Sequence, residues 1–132
     1  MFHECGPDLF FEYRLVLTSF KKKSMVMVNW NSAHGWHAPE IKPYGPISMM
    51  PTASCLHYAT QCFEGMKIYR GYDGKLRLFR PDQNCERLVL SSTRVALPLF
   101  NPRELEKLIQ AFMKLDGPRK FPRSLGALTS FV

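Results

Sequence analysis

The apolar positions change their period along the chain. Met25-Val26-Met27-Val28-Asn29-Trp30 is a run of β-branched and large side chains and predicts a strand. Gly35, Pro39, Pro43 and Gly45 then interrupt residues 31–46, which read as an irregular connection. Residues 47–50 form a short apolar strand candidate stopped by Pro51. Residues 66–70 and 76–80 flank Gly71-Tyr72-Asp73-Gly74-Lys75, and Asp73-Gly74 offers the positive-φ residues of a tight hairpin. From Asp82 the spacing turns helical. Pro81 sits near the first turn, where a missing N–H costs nothing, and the helix is predicted to run to about Val95, ahead of Pro98. A second helix starts at Asn101 as N-cap, with Pro102 at N1 and Glu104 at N3 in the manner of a capping box. Leu105, Leu108, Ile109 and Phe112 recur at helical spacing, and Gly117 and Pro118 predict the end. Strands followed by helices favour an α+β fold.

The chain has 132 residues, enough for one domain or a piece of one. At 45% hydrophobic and 22% charged residues, a modest packed core is expected. Three zones stand out: residues 1–24, mixed in character and without a clean period; residues 25–119, which read as a packed domain; and residues 120–132, basic and then apolar. Residues 9–20 carry Glu12 and Arg14 and make a poor membrane span. Lys21-Lys22-Lys23 follows that stretch instead of preceding it, unlike a secretory signal, and Glu4, Asp8 and Glu12 are unlike a mitochondrial presequence. Cys5, Cys55, Cys62 and Cys85 form no C-x-x-C pair and read as reduced intracellular thiols. The net charge of +7 favours anionic ligands, phosphates included. Its lysines and arginines are scattered, so neither nucleic acid nor membrane is expected as a partner, and Lys21-Lys22-Lys23 reads as a solvated segment.

The most specific signal is Cys55-Leu56-His57-Tyr58-Ala59-Thr60-Gln61-Cys62-Phe63-Glu64-Gly65-Met66-Lys67-Ile68-Tyr69-Arg70-Gly71. It resembles the "LHY…FEGMKAYRG" signature of branched-chain amino-acid aminotransferases. Leu76-Arg77-Leu78-Phe79-Arg80-Pro81-Asp82-Gln83-Asn84-Cys85-Glu86-Arg87 is similar to the family's "RLFRPDLNMDR" segment, and residues 29–48 to its "W-x-x-x-x-GW-x-x-P-x-I-x-P" stretch. The resemblance implies the small N-terminal domain of the fold-type IV pyridoxal-phosphate enzymes, an antiparallel-type sheet with helices packed on it. It covers residues 25–119, leaving 1–24 as a divergent extension and 120–132 as a divergent tail. It also implies a full enzyme that is a homodimer and exchanges amino groups between leucine, isoleucine or valine and 2-oxoglutarate, in the cytoplasm or mitochondrion.

On this resemblance Arg87 holds the phosphate of pyridoxal phosphate, a role suited to a planar guanidinium that stays charged. Tyr58 and Phe63 would wall the substrate side-chain pocket; read without the resemblance, both are core aromatics. Gly65 reads as a point of close backbone approach, and Glu64 is given no chemistry. Lys67 lies in a hairpin strand with alternating faces and is rejected as the Schiff-base lysine. The family's catalytic lysine, and the acid beside the pyridine nitrogen, belong to its large domain, so no catalytic residue is assigned here. His34-x-x-His37 and Cys55-x-His57 lack a second pair at structural-zinc spacing, and no metal site is assigned. The family's lead-in before the first strand and its "LY-x-R-P" stretch have no counterpart around Ser19-Phe20-Lys21 and Lys120-Phe121-Pro122-Arg123. The expectation is a truncated or wrongly assembled gene product with foreign sequence joined at each end, inactive alone. The alternative is a non-catalytic module that pairs with an intact family member.

Overall fold

The structure, a computed structural model, describes residues 12–19, 24–120 and 127–131. The expectations for the extreme N-terminus, for Lys21-Lys22-Lys23 and for residues 121–126 lie outside the described residues. Strands β1 (Glu12–Ser19), β2 (Ser24–Asn31), β3 (Gly35–Trp36) and β4 (Glu40–Pro43) are followed by helix α1 (Ser54–Tyr58), strands β5 (Glu64–Arg70) and β6 (Leu76–Leu78), helices α2 (Pro81–Arg94) and α3 (Pro102–Lys120), and strand β7 (Ala127–Phe131). The strands form a 7-stranded sheet in the order β3-β2-β1-β7-β5-β6, with β4 also pairing β2. Its pairings are antiparallel. The α+β class follows from this order of elements.

The register explains the core. Leu17 stands opposite Val26 in the β1–β2 pair, and Leu15 opposite Val28. These residues share one face of the sheet, because side chains alternate along a strand. Met66 joins them from β5, and helices α2 and α3 add Cys85, Leu88, Leu105, Ile109 and Phe112. Leu17, Val26 and Cys85 are the largest fully buried side chains. The Trp36 indole N–H donates to the Leu99 carbonyl at 2.9 Å, and its ring meets Phe100 edge-on at 6.2 Å, so the α2–α3 connection is pinned to β3.

Several local expectations change. Residues 31–46 carry β3 and β4 within the supposed irregular connection; both borrow hydrogen bonds from β2, which short segments cannot signal on their own. Residues 47–50 form no strand. They lie between Pro46 and Pro51 and leave Met49 and Met50 exposed, and the Ser48 carbonyl is taken by the Arg14 side chain. Helix α1 was not anticipated. In the hairpin, Gly74 alone of the Asp73-Gly74 pair takes positive φ (77°). Helix α3 runs past Gly117 and Pro118 to Lys120, giving up the backbone hydrogen bond for which Pro118 has no N–H. Strands β1 and β7 lie within the zones 1–24 and 120–132, and both hydrogen-bond into the sheet. No helix among the described residues is long and apolar enough to cross a membrane.

Candidate functional site

Strand β5 alternates strictly: Glu64, Met66 and Ile68 are buried while Gly65, Lys67 and Tyr69 face outward. Period two therefore puts a carboxylate on the core-facing side of the sheet, at the strand's first residue. Helix α2 crosses that face. Its Cys85, Leu88 and Ser92 are buried, and Asn84 and Arg87, three apart on one side of the helix, flank this stripe towards Glu64.

The contacts converge on the Glu64 carboxylate. Arg87 donates from Nε to Oε2 and from Nη2 to Oε1, both at 2.6 Å, a two-point fork. The Asn84 amide donates to Oε1 at 3.0 Å and to the Gly65 carbonyl at 3.0 Å, and the Gly65 N–H donates to Oε1 at 2.9 Å. Burial by itself would raise the Glu64 carboxyl pKa. The hydrogen bonds from Arg87, Asn84 and Gly65 outweigh it and hold the group below its ordinary range. In return, the hydrogen bond to Glu64 holds the Arg87 guanidinium still more firmly protonated. The two side chains differ sharply in exposure, 7% for Glu64 and 61% for Arg87. With Nε and one Nη2 hydrogen engaged, and no further partner for Arg87 among the described residues, the end-on Nη1/Nη2 edge of the guanidinium remains for an oxyanion.

The approach to β5 is also built locally. Helix α1 ends at Ala59 in the left-handed conformation (φ 52°), and the Gln61 N–H bonds back to the Ala59 carbonyl at 2.8 Å. The Cys62 sulfur, 3.4 Å from the buried Ser92 hydroxyl, anchors the incoming chain on α2. Phe63 and Tyr58 are 78% and 80% exposed, so neither is a core aromatic. Phe63 is the chain neighbour of Glu64; Tyr58 closes α1 with its ring edge-on to His57 at 6.5 Å. Lys67 is on the outward face of β5, opposite in sense to Glu64.

Glu64 and Asn84 were missed as site residues. A signal existed: a carboxylate in phase with Met66 and Ile68 must find a cation, and Arg87 is in reach only once α2 is docked. His37 Nε2 lies 2.6 Å from the Asn31 amide, and the His34 and His37 rings stand 6.2 Å apart. Among the described residues no three His, Cys, Asp or Glu side chains gather as a metal-binding set.

Comparison with known proteins gives a consistent set of relatives. The chain is 49% identical over 92 residues to the cytosolic branched-chain-amino-acid aminotransferase of Mus musculus, covering 70% of this chain and 24% of that protein. It is 48% identical over 92 residues to the branched-chain-amino-acid aminotransferase of Dictyostelium discoideum, with the same shares of each chain. The mitochondrial enzyme of Schizosaccharomyces pombe is 45% identical over 89 residues, covering 67% of this chain and 21% of its own. The chain spans about a quarter of the length of the curated relatives it matches. No protein-family model matches it.

Proposed function

From the premise that the matched stretch of this chain belongs to the branched-chain-amino-acid aminotransferase family, we propose that it is the phosphate-holding small-domain portion of such an enzyme. Residues 25–119 carry the resemblance, and β1 and β7, from the divergent flanks 1–24 and 120–132, complete its sheet. The whole enzyme would be a homodimer in the cytosol or mitochondrion, exchanging amino groups between leucine, isoleucine or valine and 2-oxo acids. The observation that carries this reading is the free guanidinium edge of Arg87, held on an exposed surface by a buried carboxylate.

The donor set fits the phosphate of pyridoxal phosphate. A guanidinium edge gives paired N–H donors to two phosphate oxygens and keeps its charge at any working pH. The cofactor, when bound, supplies the electron-withdrawing ring that amino-group exchange requires. Arg87 binds and orients the phosphate. Tyr58, at the end of α1, and Phe63, just before β5, are both exposed and supply apolar wall to an aliphatic side chain, where selectivity comes from burying methylenes. No side chain of the chain is assigned the proton transfer, and the 132-residue chain alone is expected to give no leucine:2-oxoglutarate exchange.

The test compares pyridoxine 5′-phosphate with pyridoxine, neither of which carries an aldehyde to react with stray lysines. The chain should bind the phosphorylated compound more tightly, and Arg87→Ala should erase the difference. Equal binding of both compounds by the unaltered chain would sink the reading.

One observation favours the second reading, an interaction module. Leu56, Tyr58, Phe63 and Phe79 are exposed at 61%, 80%, 78% and 67%, more large apolar surface than a lone domain gains from showing. If this surface pairs with an intact family member, the two should co-purify when co-expressed. Separate elution as independent species would remove that reading.

A further inference from the structure

We propose that Glu64 and Asn84 are positioning residues, which fix the Arg87 guanidinium as a one-sided receptor for a phosphate group. The proposal rests on the reading of Arg87 given above and names what makes that arginine directional.

Among the described residues Glu64 is the one buried charged side chain. Elsewhere, ion pairs lie at the surface, as in Asp73–Arg77 and Glu104–Lys107, where both partners stay exposed. Glu64 differs: its carboxylate is withdrawn from water in order to grip a guanidinium that stays largely exposed. Burying a carboxylate against an exposed partner is a poor route to stability. It does secure geometry. Nε and Nη2 are both engaged, so the guanidinium plane cannot turn without breaking two charge-assisted bonds at once. The carboxylate is itself immobilised by the Asn84 amide and the Gly65 N–H. Asn84 also binds the Gly65 carbonyl, tying α2 to the β5 backbone. An arginine otherwise pays rotamer entropy when it takes a ligand; here that ordering is done before the ligand arrives.

The positioning role and a plain electrostatic role predict opposite signs. If Glu64 acted only as a negative charge near an anion site, Glu64→Gln would strengthen phosphate binding, and Asn84→Ala, which changes no charge, would do nothing. If Glu64 and Asn84 position Arg87, both substitutions weaken it. Solvent around the exposed guanidinium screens the repulsion between phosphate and the carboxylate on its far edge, so loss of orientation is expected to dominate.

The experiment is a titration of the 132-residue chain with inorganic phosphate, followed by the ¹⁵N–¹H resonance of Arg87 Nε and by calorimetry. Arg87→Ala, Glu64→Gln and Asn84→Ala are titrated alongside. Arg87→Ala should abolish the response. Glu64→Gln should weaken binding about 3- to 10-fold, the scale of ordering one rotamer-rich side chain, and should speed exchange of the Arg87 Nε proton. Asn84→Ala should weaken binding in the same direction by less. Tighter or unchanged binding in Glu64→Gln, with Asn84→Ala unchanged, overturns the positioning role and leaves the reading of Arg87 standing. No response from the unaltered chain, or one that Arg87→Ala leaves intact, overturns both. Circular dichroism of each variant confirms folding at the titration temperature; if Glu64→Gln fails to fold, Asn84→Ala, which keeps the carboxylate, decides the question.

Discussion

At the scale of single residues, buried ionisable groups carry the readable consequences. The Glu64 carboxyl lies below its ordinary pKa of 4.5 because its hydrogen bonds outweigh the effect of burial. A depressed carboxyl pKa means the unfolded chain takes up the proton first, so its contribution to stability is present above about pH 4.5 and is lost as pH falls through the folded value. Thermal melts should therefore show Glu64→Gln less stable than the unaltered chain at pH 7, with the two curves converging in acid. Asp73, held at about 2 by the Arg77 hydrogen bonds, the Lys75 N–H and the nearby charge, adds its own loss further down in both proteins. Cys85 moves the other way. Burial first, then the neighbouring Glu106, Glu64, Asp82 and Glu86, pushes its thiol up to about 12 from 9.0. The folded state keeps this proton, so stability is intact below pH 9 and declines as pH rises from there towards 12. At pH 8, iodoacetamide should label Cys85 only after denaturation; mass spectrometry of the peptide holding it reads this directly.

At the scale of elements, turn and cap residues behave as the sequence suggests, and the exceptions have local causes. Asn101 Oδ1 accepts the Arg103 N–H at 2.9 Å, the expected N-cap of α3. Glu104 does not complete a capping box; it pairs with Lys107 at 2.7 Å. Asn101→Ala should cost about 1 kcal/mol in urea unfolding, the usual loss of such a cap. In the hairpin, the Gly74 N–H closes the turn to the Gly71 carbonyl at 2.9 Å, and φ at Gly74 is 77°. Gly74→Ala should cost about 1–2 kcal/mol, since a Cβ is disfavoured at that φ while the space around it is open. Gly71→Ala meets a different obstacle: the new Cβ would collide with the Arg77 guanidinium and the Asp73 carboxylate and push their ion pair aside. Arg80, the N-cap of α2, adopts left-handed φ (46°) with its guanidinium 5.3 Å from the Phe79 ring; no side-chain hydrogen bond caps the helix there.

At the scale of the molecule, the β1–β2 register centres the core. Leu17 and Val26 face each other across that pair, beneath α2 and α3. Leu17→Ala should destabilise the chain by about 2–5 kcal/mol, whereas Met50→Ala, at a 73% exposed position, should change the denaturant midpoint little. The sequence by itself determined β2, the β5–β6 hairpin, α2 and the start of α3, because each is set by contacts within a few residues: a β-branched run, a glycine that takes positive φ, a proline at N1, an N-cap asparagine. It also determined the kinship, since the motif blocks are local strings. Only the tertiary structure decided β3 and β4, which exist because β2 offers them a hydrogen-bonding edge, and the insertion of β7 between β1 and β5 from the far end of the chain. The site divides the same way. The expectation at Arg87 came from its motif alone. Glu64 became part of the site only when the sheet turned it inward and the docked α2 brought Arg87 within 2.6 Å, because a buried carboxylate is tolerable only once a cation from elsewhere in the chain has been delivered to it.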